Sequence, residues 1–188
     1  MPMPHKDRGS AVDERTTAAL HWPDTIYGQF QRVGIRQVGY VPDAGLSRLI
    51  ELCVKDPNIH DVVLTTEEEG VGLLAGAALG GQRAALLMQS SGVGNCINMF
   101  SLIRNCGFPC LVVITMRGEF AEFNPWQVPM GSITEASLKL CSFLTYRVED
   151  EDDVDSVVGA GCDMAFGSDL PVAIVLSQRL IGRKEWTR

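Results

Sequence analysis

Thr65 to Asn95 reads TTEEEGVGLLAGAALGGQRAALLMQSSGVGN. That one stretch holds a helix start, a helix, a buried strand and a second helix start. The apolar run Val62-Val63-Leu64 precedes it, and the acids Glu67-Glu68-Glu69 then open a segment rich in Gly70, Gly72, Ala75, Gly76, Ala77 and Ala78. Such a run predicts a helix of small residues that another backbone approaches closely. Three acids in a first turn also suit the helix macrodipole. Ala84 to Met88 reads as a buried strand, and Ser90-Ser91-Gly92-Val93-Gly94-Asn95 turns the chain into the next helix, where backbone N–H groups are free to meet a ligand.

Outward from this stretch the same alternation continues. Residues 1–20 are rich in Pro, Lys, Asp, Arg and Thr without periodicity, which predicts a mobile N-terminal arm. Residues 21–188 are expected to form a single domain. Helices are predicted through Ile26 to Val33, Ala44 to Val54, Val93 to Asn105, Ser132 to Leu140 and Asp152 to Phe166. Strands are predicted at Gln37 to Val41, Asp61 to Thr65, Ala84 to Met88, Cys110 to Thr115, Leu144 to Val148 and Pro171 to Leu176. Several of these strands are continuous apolar runs, as in sheets buried on both faces. The fold class that follows is α/β, a doubly wound, six-stranded, mainly parallel sheet with helices on both faces. Ligands of such sheets bind outside the carboxyl ends of the strands. Val41-Pro42-Asp43, Thr66-Glu67, Gln89 to Asn95 and Arg117 all fall there.

Composition narrows the function classes. With 188 residues, 46% of them hydrophobic, and a net charge of -7, the chain buries a full core but lacks the excess of Lys and Arg that nucleic-acid surfaces need. No nucleic-acid partner is expected. No apolar run reaches the roughly 20 residues that span a bilayer, and Met1 to Arg15 lacks the apolar centre of a signal peptide. A cytoplasmic protein without membrane contact is expected. The six cysteines lie in apolar segments without the paired spacing of a zinc or redox motif, and read as reduced core residues. A reactive thiol at Cys96, beside the glycine turn, is the functional alternative. His5, His21 and His60 read as surface residues.

Gly92-Val93-Gly94-Asn95 resembles the start of a dinucleotide fingerprint, but position 97, where the third glycine would fall, is Ile97. Arg117 is suited to a carboxylate, sulfonate or phosphonate through its planar fork, or to an ion pair with Glu119 or Glu122. Asp43 either faces a substrate or caps the helix from Ala44. The loop Met116 to Gly131 carries Phe120, Phe123, Trp126 and Pro129 among acids, an apolar load that packs on its own domain, closes over a site or meets a second subunit.

Four pieces carry a resemblance: Val41-Pro42-Asp43, the Glu67 helix with Ala75-Gly76, Met88 to Asn95, and Arg117-Gly118-Glu119. In order and spacing the chain resembles the pyrimidine-binding (Pyr) domain of thiamine-diphosphate enzymes. Within them it is most similar to the alpha subunit of sulfopyruvate decarboxylase and the related phosphonopyruvate decarboxylase. The resemblance implies thiamine diphosphate as cofactor and a glutamate on N1′ of its aminopyrimidine, in an apolar, partly dehydrated place. In that family the glutamate stands nine residues before the glycine ending its helix, which here is Glu67 before Gly76, with Glu68 as the alternative. It further implies Gln89, Ser91, Gly92, Val93, Gly94 and Asn95 as cofactor lining, and Asp43 and Arg117 as substrate-binding residues.

These enzymes hold the diphosphate through Mg²⁺ with a Gly-Asp-Gly motif on a second domain. This chain has no Gly-Asp-Gly; Gly167-Ser168-Asp169 is the nearest approach. The resemblance therefore implies a separate diphosphate-binding (beta) subunit carrying Gly-Asp-Gly and the Mg²⁺, with self-association of this chain as well. The implied reaction is decarboxylation of an anionic 2-oxo acid, sulfopyruvate first and phosphonopyruvate second. A noncatalytic Pyr-like module that only binds a partner is the rival, and a flavodoxin-like nucleotide binder the third reading.

Overall fold

The computed structural model describes residues 21–182, and the arm expected over residues 1–20 lies outside them. Helices and strands alternate as α1 (Trp22–Val33), β1 (Ile35–Tyr40), α2 (Ser47–Lys55), β2 (His60–Val63), α3 (Glu67–Leu79) and β3 (Arg83–Gln89). There follow α4 (Ser90–Cys96), α5 (Phe100–Cys106), β4 (Cys110–Thr115), α6 (Val128–Leu140), β5 (Leu144–Val148), α7 (Val154–Gly167), β6 (Pro171–Leu176) and α8 (Gln178–Ile181). The strands lie in the order β2-β1-β3-β4-β6-β5, every neighbouring pair parallel. This is the doubly wound α/β sheet expected, wholly parallel rather than mainly so. From β1 the chain steps outward to β2 and then back across to β3, so the winding reverses at the β1/β3 pair. Crevices at such reversals are where open α/β sheets bind ligands.

Alternation along the central strands builds two cores. Ala85, Leu87, Leu111, Val113, Val172 and Ile174 face one side, under α1, α2 and α7. Leu86, Met88, Val112, Ile114, Ala173 and Val175 face the other, under α3 to α6. Burying each large apolar side chain is worth roughly 1.5–3 kcal/mol, which fixes which face each residue takes. In α1, Trp22, Ile26, Phe30 and Val33 are all buried at helical spacing. Pro23 sits in its first turn, and Gly34, at φ 70°, ends the helix.

Three expectations on elements change. The helix read over Val93 to Asn105 is two helices that start earlier, at Ser90. Between them the backbone bonds tighten to three-residue spacing, Ser101 N to Asn98 O and Leu102 N to Met99 O. The loop from Met116 is shorter than expected, because α6 begins at Val128 with Pro129 in its first turn. Helix α8, four residues long, was not expected; its Ser177 cap accepts from Leu180 N at 3.1 Å.

Candidate active site

Glu67 is the first residue of α3 and lies on the same stripe as Gly70, Val71, Leu74 and Ala77, all buried. Helical spacing thus turns Glu67 inward, to 9% exposure. Its neighbours point elsewhere: Glu69 accepts from Thr65 N at 2.9 Å, and Glu68 takes the Thr66 hydroxyl. Asn95 Nδ2, on α4, donates to Glu67 Oε2 at 2.7 Å. A Cβ on Gly92 would lie 2.5 Å from Glu67 Cγ and 2.7 Å from its Oε1. Only glycine lets α4 close over this carboxylate. Along α3 itself, a Cβ on Gly70 would strike Leu86 at 2.3 Å, whereas Gly72 and Gly76 face open space. Close approach is therefore enforced at one end of the helix.

At the β1/β3 reversal a second group of side chains is tied together. Asp43 makes no side-chain cap on the turn that follows it. Its Oδ1 accepts from Gln89 Nε2 at 3.1 Å and its Oδ2 from Thr115 Oγ1 at 2.8 Å. Ser91 Oγ donates to Gln89 Oε1 at 2.9 Å. The fully buried Ser90 accepts from Arg117 N at 3.1 Å. Val93 faces the core, so its backbone alone reaches the edge, and Gly94 packs under Met130. The structure thus brings the β1, β3 and β4 loops into one hydrogen-bonded group, and Glu67 joins it through Asn95 and Gly92 of α4.

Arg117 is 6% exposed. Its Nε and Nη2 donate to Glu122 at 2.7 and 2.6 Å, with the guanidinium over the Phe123 ring. This pair holds the Glu122 carboxyl well below its ordinary range, at about 2, with backbone N–H groups of Asn124 and Gly118 adding to the effect. Gln178, a residue that carried no sequence signal, completes the clasp. Its Nε2 donates to Glu122 at 3.0 Å, and its Oε1 accepts from Glu119 N and Phe120 N. Glu119 in turn accepts from Gln178 N and from Arg147. The loop after β4 is thereby bolted to the end of β6, so it packs on its own domain; Trp126 remains 69% exposed. Gly118 permits its first turn, at φ 80° and with Gln127 O 2.5 Å from where a Cβ would stand.

Cys53, Cys96, Cys110 and Cys162 are buried as expected, but Cys106 is exposed and Cys141 partly so, because each stands at the end of a helix rather than under one. Burial, with Glu67 and Glu68 nearby, pushes the Cys96 thiol up to about 12. A thiol so protonated is a packing residue, not a nucleophile. His21 and His60 are exposed, and His5 lies outside the described residues. Two recesses bracket the sheet. One of about 110 Å³, lined by Asp43, Gly45, Arg117 and Gln178 among others, lies at the carboxyl edge. A larger, mainly apolar one of about 580 Å³ lies at the opposite edge, between Leu79, Arg83, Leu102 and Phe166. The smaller one adjoins the polar groups above.

No protein-family model matches the chain. Over 151 residues it is 35% identical to sulfopyruvate decarboxylase subunit alpha of Methanocaldococcus jannaschii, covering 80% of this chain and 89% of that one. The chain belongs to the family of sulfopyruvate decarboxylase alpha subunits. The family member of Methanococcus maripaludis is 33% identical over 154 residues, covering 81% of this chain and 92% of its own. Phosphonopyruvate decarboxylase of Streptomyces viridochromogenes is 32% identical over 152 residues, covering 79% of this chain but 38% of that longer protein. Among solved structures, 2-oxoglutarate:ferredoxin oxidoreductase from Magnetococcus marinus superposes with a TM-score of 0.68 at 15% identity, over 86% of this chain and 29% of that one. That likeness bears on the fold alone. Among the described residues no helix is long and apolar enough to cross a membrane.

Proposed function

We propose that this chain is the pyrimidine-binding alpha subunit of a thiamine-diphosphate-dependent decarboxylase that converts sulfopyruvate to sulfoacetaldehyde and CO2 with a separate diphosphate-binding subunit. The observation that carries the reading is Glu67, a carboxylate held at the carboxyl edge, 9% exposed, with one oxygen on Asn95 and a glycine in place of any side chain over the other. That cradle fits an aminopyrimidine, whose ring nitrogen shares a proton with the carboxylate. Thiamine diphosphate, when bound, supplies the carbon nucleophile for the keto carbon and accepts the electron pair left as CO2 departs.

The chain's own part is to bind and orient. Glu67 holds the proton, Asn95 fixes the carboxylate, and the backbone of Gly92 to Gly94, with Gln89 and Ser91, lines the helix start. Arg117 brings no net charge, since Glu122 neutralises it; it borders the recess at the carboxyl edge together with the Asp43 loop. At about 110 Å³ that recess is smaller than the roughly 300–1,000 Å³ of complete small-molecule sites. Another chain must supply the remaining walls. The sequence carries no Gly-Asp-Gly, and we assign the diphosphate and Mg²⁺ to a beta subunit that does. The relatives named subunit alpha support such a division.

The test is to mix the chain with a beta subunit and follow CO2 and aldehyde release from sulfopyruvate, phosphonopyruvate and pyruvate. Release by the mixture alone, fastest with sulfopyruvate, is expected. Faster turnover of phosphonopyruvate would move the substrate assignment to the relative that also matches, and no release from any of them would leave a binding module without catalysis.

A further inference from the structure

We propose that the recess at the amino edge of the sheet, opposite Glu67, is a binding site for a small anionic amphiphile, with an apolar body in the recess and a carboxylate, sulfonate or phosphate head on Arg83. At about 580 Å³ it falls within the roughly 300–1,000 Å³ of complete small-molecule sites, which the recess at the carboxyl edge does not. Its walls come from the ends of α3, α5 and α7, with Ala75, Ala78, Leu79, Leu102, Phe108 and Phe166 among them. Leu79 is 92% exposed and Leu102 37%, so apolar surface meets water there and a hydrocarbon body that covers it is favoured.

Arg83, on the same recess, supplies the polar end. Its Nη1 donates to Val33 O at 2.7 Å and its guanidinium stands 5.3 Å over the Phe166 ring, contacts that together hold the fork in place. Among the described residues Nε and Nη2 meet no acceptor, and no carboxylate pairs with this arginine. They form the same edge with which Arg117 holds Glu122, two N–H groups spaced for two oxygens of an oxyanion. The helix ends nearby do not claim that edge, because backbone N–H groups close them: Gly81 N to Ala78 O and Gln82 N to Ala77 O after α3, and Gly107 N to Ile103 O after α5. Arg36 adds a second cation. It lines, with Arg83, an adjoining space of about 410 Å³. The register between β1 and β3 slips there, with Ile35 opposite Arg83 but Gln37 opposite Ala84. The extra residue of that bulge is Arg36, turned out to solvent while Ile35 beside it is buried. Its Nη1 reaches only a carbonyl, Asn58 O at 3.5 Å. Asp169 is the acid on the larger recess, and the two arginines outnumber it.

The probe is 1-octanesulfonate, kept below its micelle concentration and titrated calorimetrically into the full chain. One molecule per chain is expected to bind. Octyltrimethylammonium, with a like body and the opposite charge, and methanesulfonate, with the head and no such body, should each bind at least roughly tenfold more weakly. Arg83→Gln should lose roughly tenfold in affinity for the probe and Arg36→Gln roughly threefold; both residues are exposed, so the fold is kept in each. The probe should move the ¹⁵N–¹H signals of Leu79, Leu102 and Phe166 and leave those of Ser91 and Arg117, at the other edge, in place. Sulfopyruvate, which has no apolar body, should not displace it, so the outcome is independent of the thiamine reading, which is decided by turnover. Absence of binding, equal binding of the cationic amphiphile, or an affinity untouched by both arginine substitutions overturns the proposal. Displacement by sulfopyruvate would overturn it by placing the probe at the candidate active site, and displacement by the beta subunit by giving the recess to a contact between chains.

Discussion

Glu67 and Glu68 are adjacent in sequence yet opposite in environment, because one helical step of about 100° carries the side chain from the core stripe to the rim. Glu67 faces Asn95 and Gly92, while Glu68 folds back on Thr66. Glu67→Gln keeps an oxygen for Asn95, so the loss of stability should be about 1 kcal/mol or less. Turnover of the complex should drop by roughly 10²–10⁴-fold, with Glu68→Gln and Glu69→Gln close to the parent. Exchange of the thiazolium C2 proton of bound cofactor, followed by NMR, checks it; slowing in Glu68→Gln alone would place the acid one residue on. Gly92→Ala probes the same contact from the other side. Its methyl would stand 2.5 to 2.7 Å from three atoms of Glu67, so the carboxylate must move. A stability cost of roughly 1–3 kcal/mol and a loss of activity comparable to Glu67→Gln are expected, measured by urea unfolding and steady-state rates. Full activity in Gly92→Ala would show that this packing does not place the acid.

At the scale of the element, the loop between β4 and α6 owes its shape to one buried ion pair. Glu122 and Arg117 side chains are 3% and 8% exposed, and Ala121 beside them sits at φ 48°, a left-handed conformation costly for a residue with a Cβ. The Glu122 carboxyl is depressed from 4.5 to about 2. A depressed acid contributes stability above its unfolded value, lost as pH falls through the folded one, so this contribution fades between about pH 4.5 and 2. Glu122→Gln leaves Arg117 buried without its counter-charge and should cost about 3 kcal/mol at pH 7. The gap between the two proteins should close on acidification across that window. Denaturant unfolding at a series of pH values measures it, and a gap independent of pH would show that Arg117 is not what lowers Glu122.

At the scale of the molecule, an edge with an acid and a cradle, in a chain whose sequence carries no Gly-Asp-Gly, predicts that the chain alone binds thiamine diphosphate weakly or not at all. Mg²⁺-dependent binding should appear on adding the beta subunit; calorimetry on separate and mixed chains decides it, and tight binding by this chain alone would overturn the split site. Trp126, Ile133 and Leu140 are 69%, 51% and 85% exposed on or beside α6, and Gly72 and Gly76 leave open space along α3. Such surfaces favour association, so light scattering at micromolar concentration should find a species larger than a monomer. A strict monomer, unchanged by the beta subunit, would speak against a site shared between chains.

The sequence by itself determined the six strands, most of the helices between them and the placing of Glu67 at a strand end, since these follow from periodicity and from neighbours within a turn of one another. It also determined that an acid, a glycine turn, Asp43 and Arg117 would meet at the carboxyl edge. The partners were decided only by the tertiary structure. Asn95 reaches Glu67 across 28 residues, Thr115 reaches Asp43 across 72, and Gln178 reaches Glu119 across 59. Their sequence positions gave Arg117 two acids to choose between and Gln178 no role at all. The strand order settles both, because it lays β6 beside β4 and so carries Gln178 to the loop that Glu122 closes. Hydrogen bonds of a few ångströms depend on which strands lie side by side, and packing of the two cores decides that rather than any local pattern.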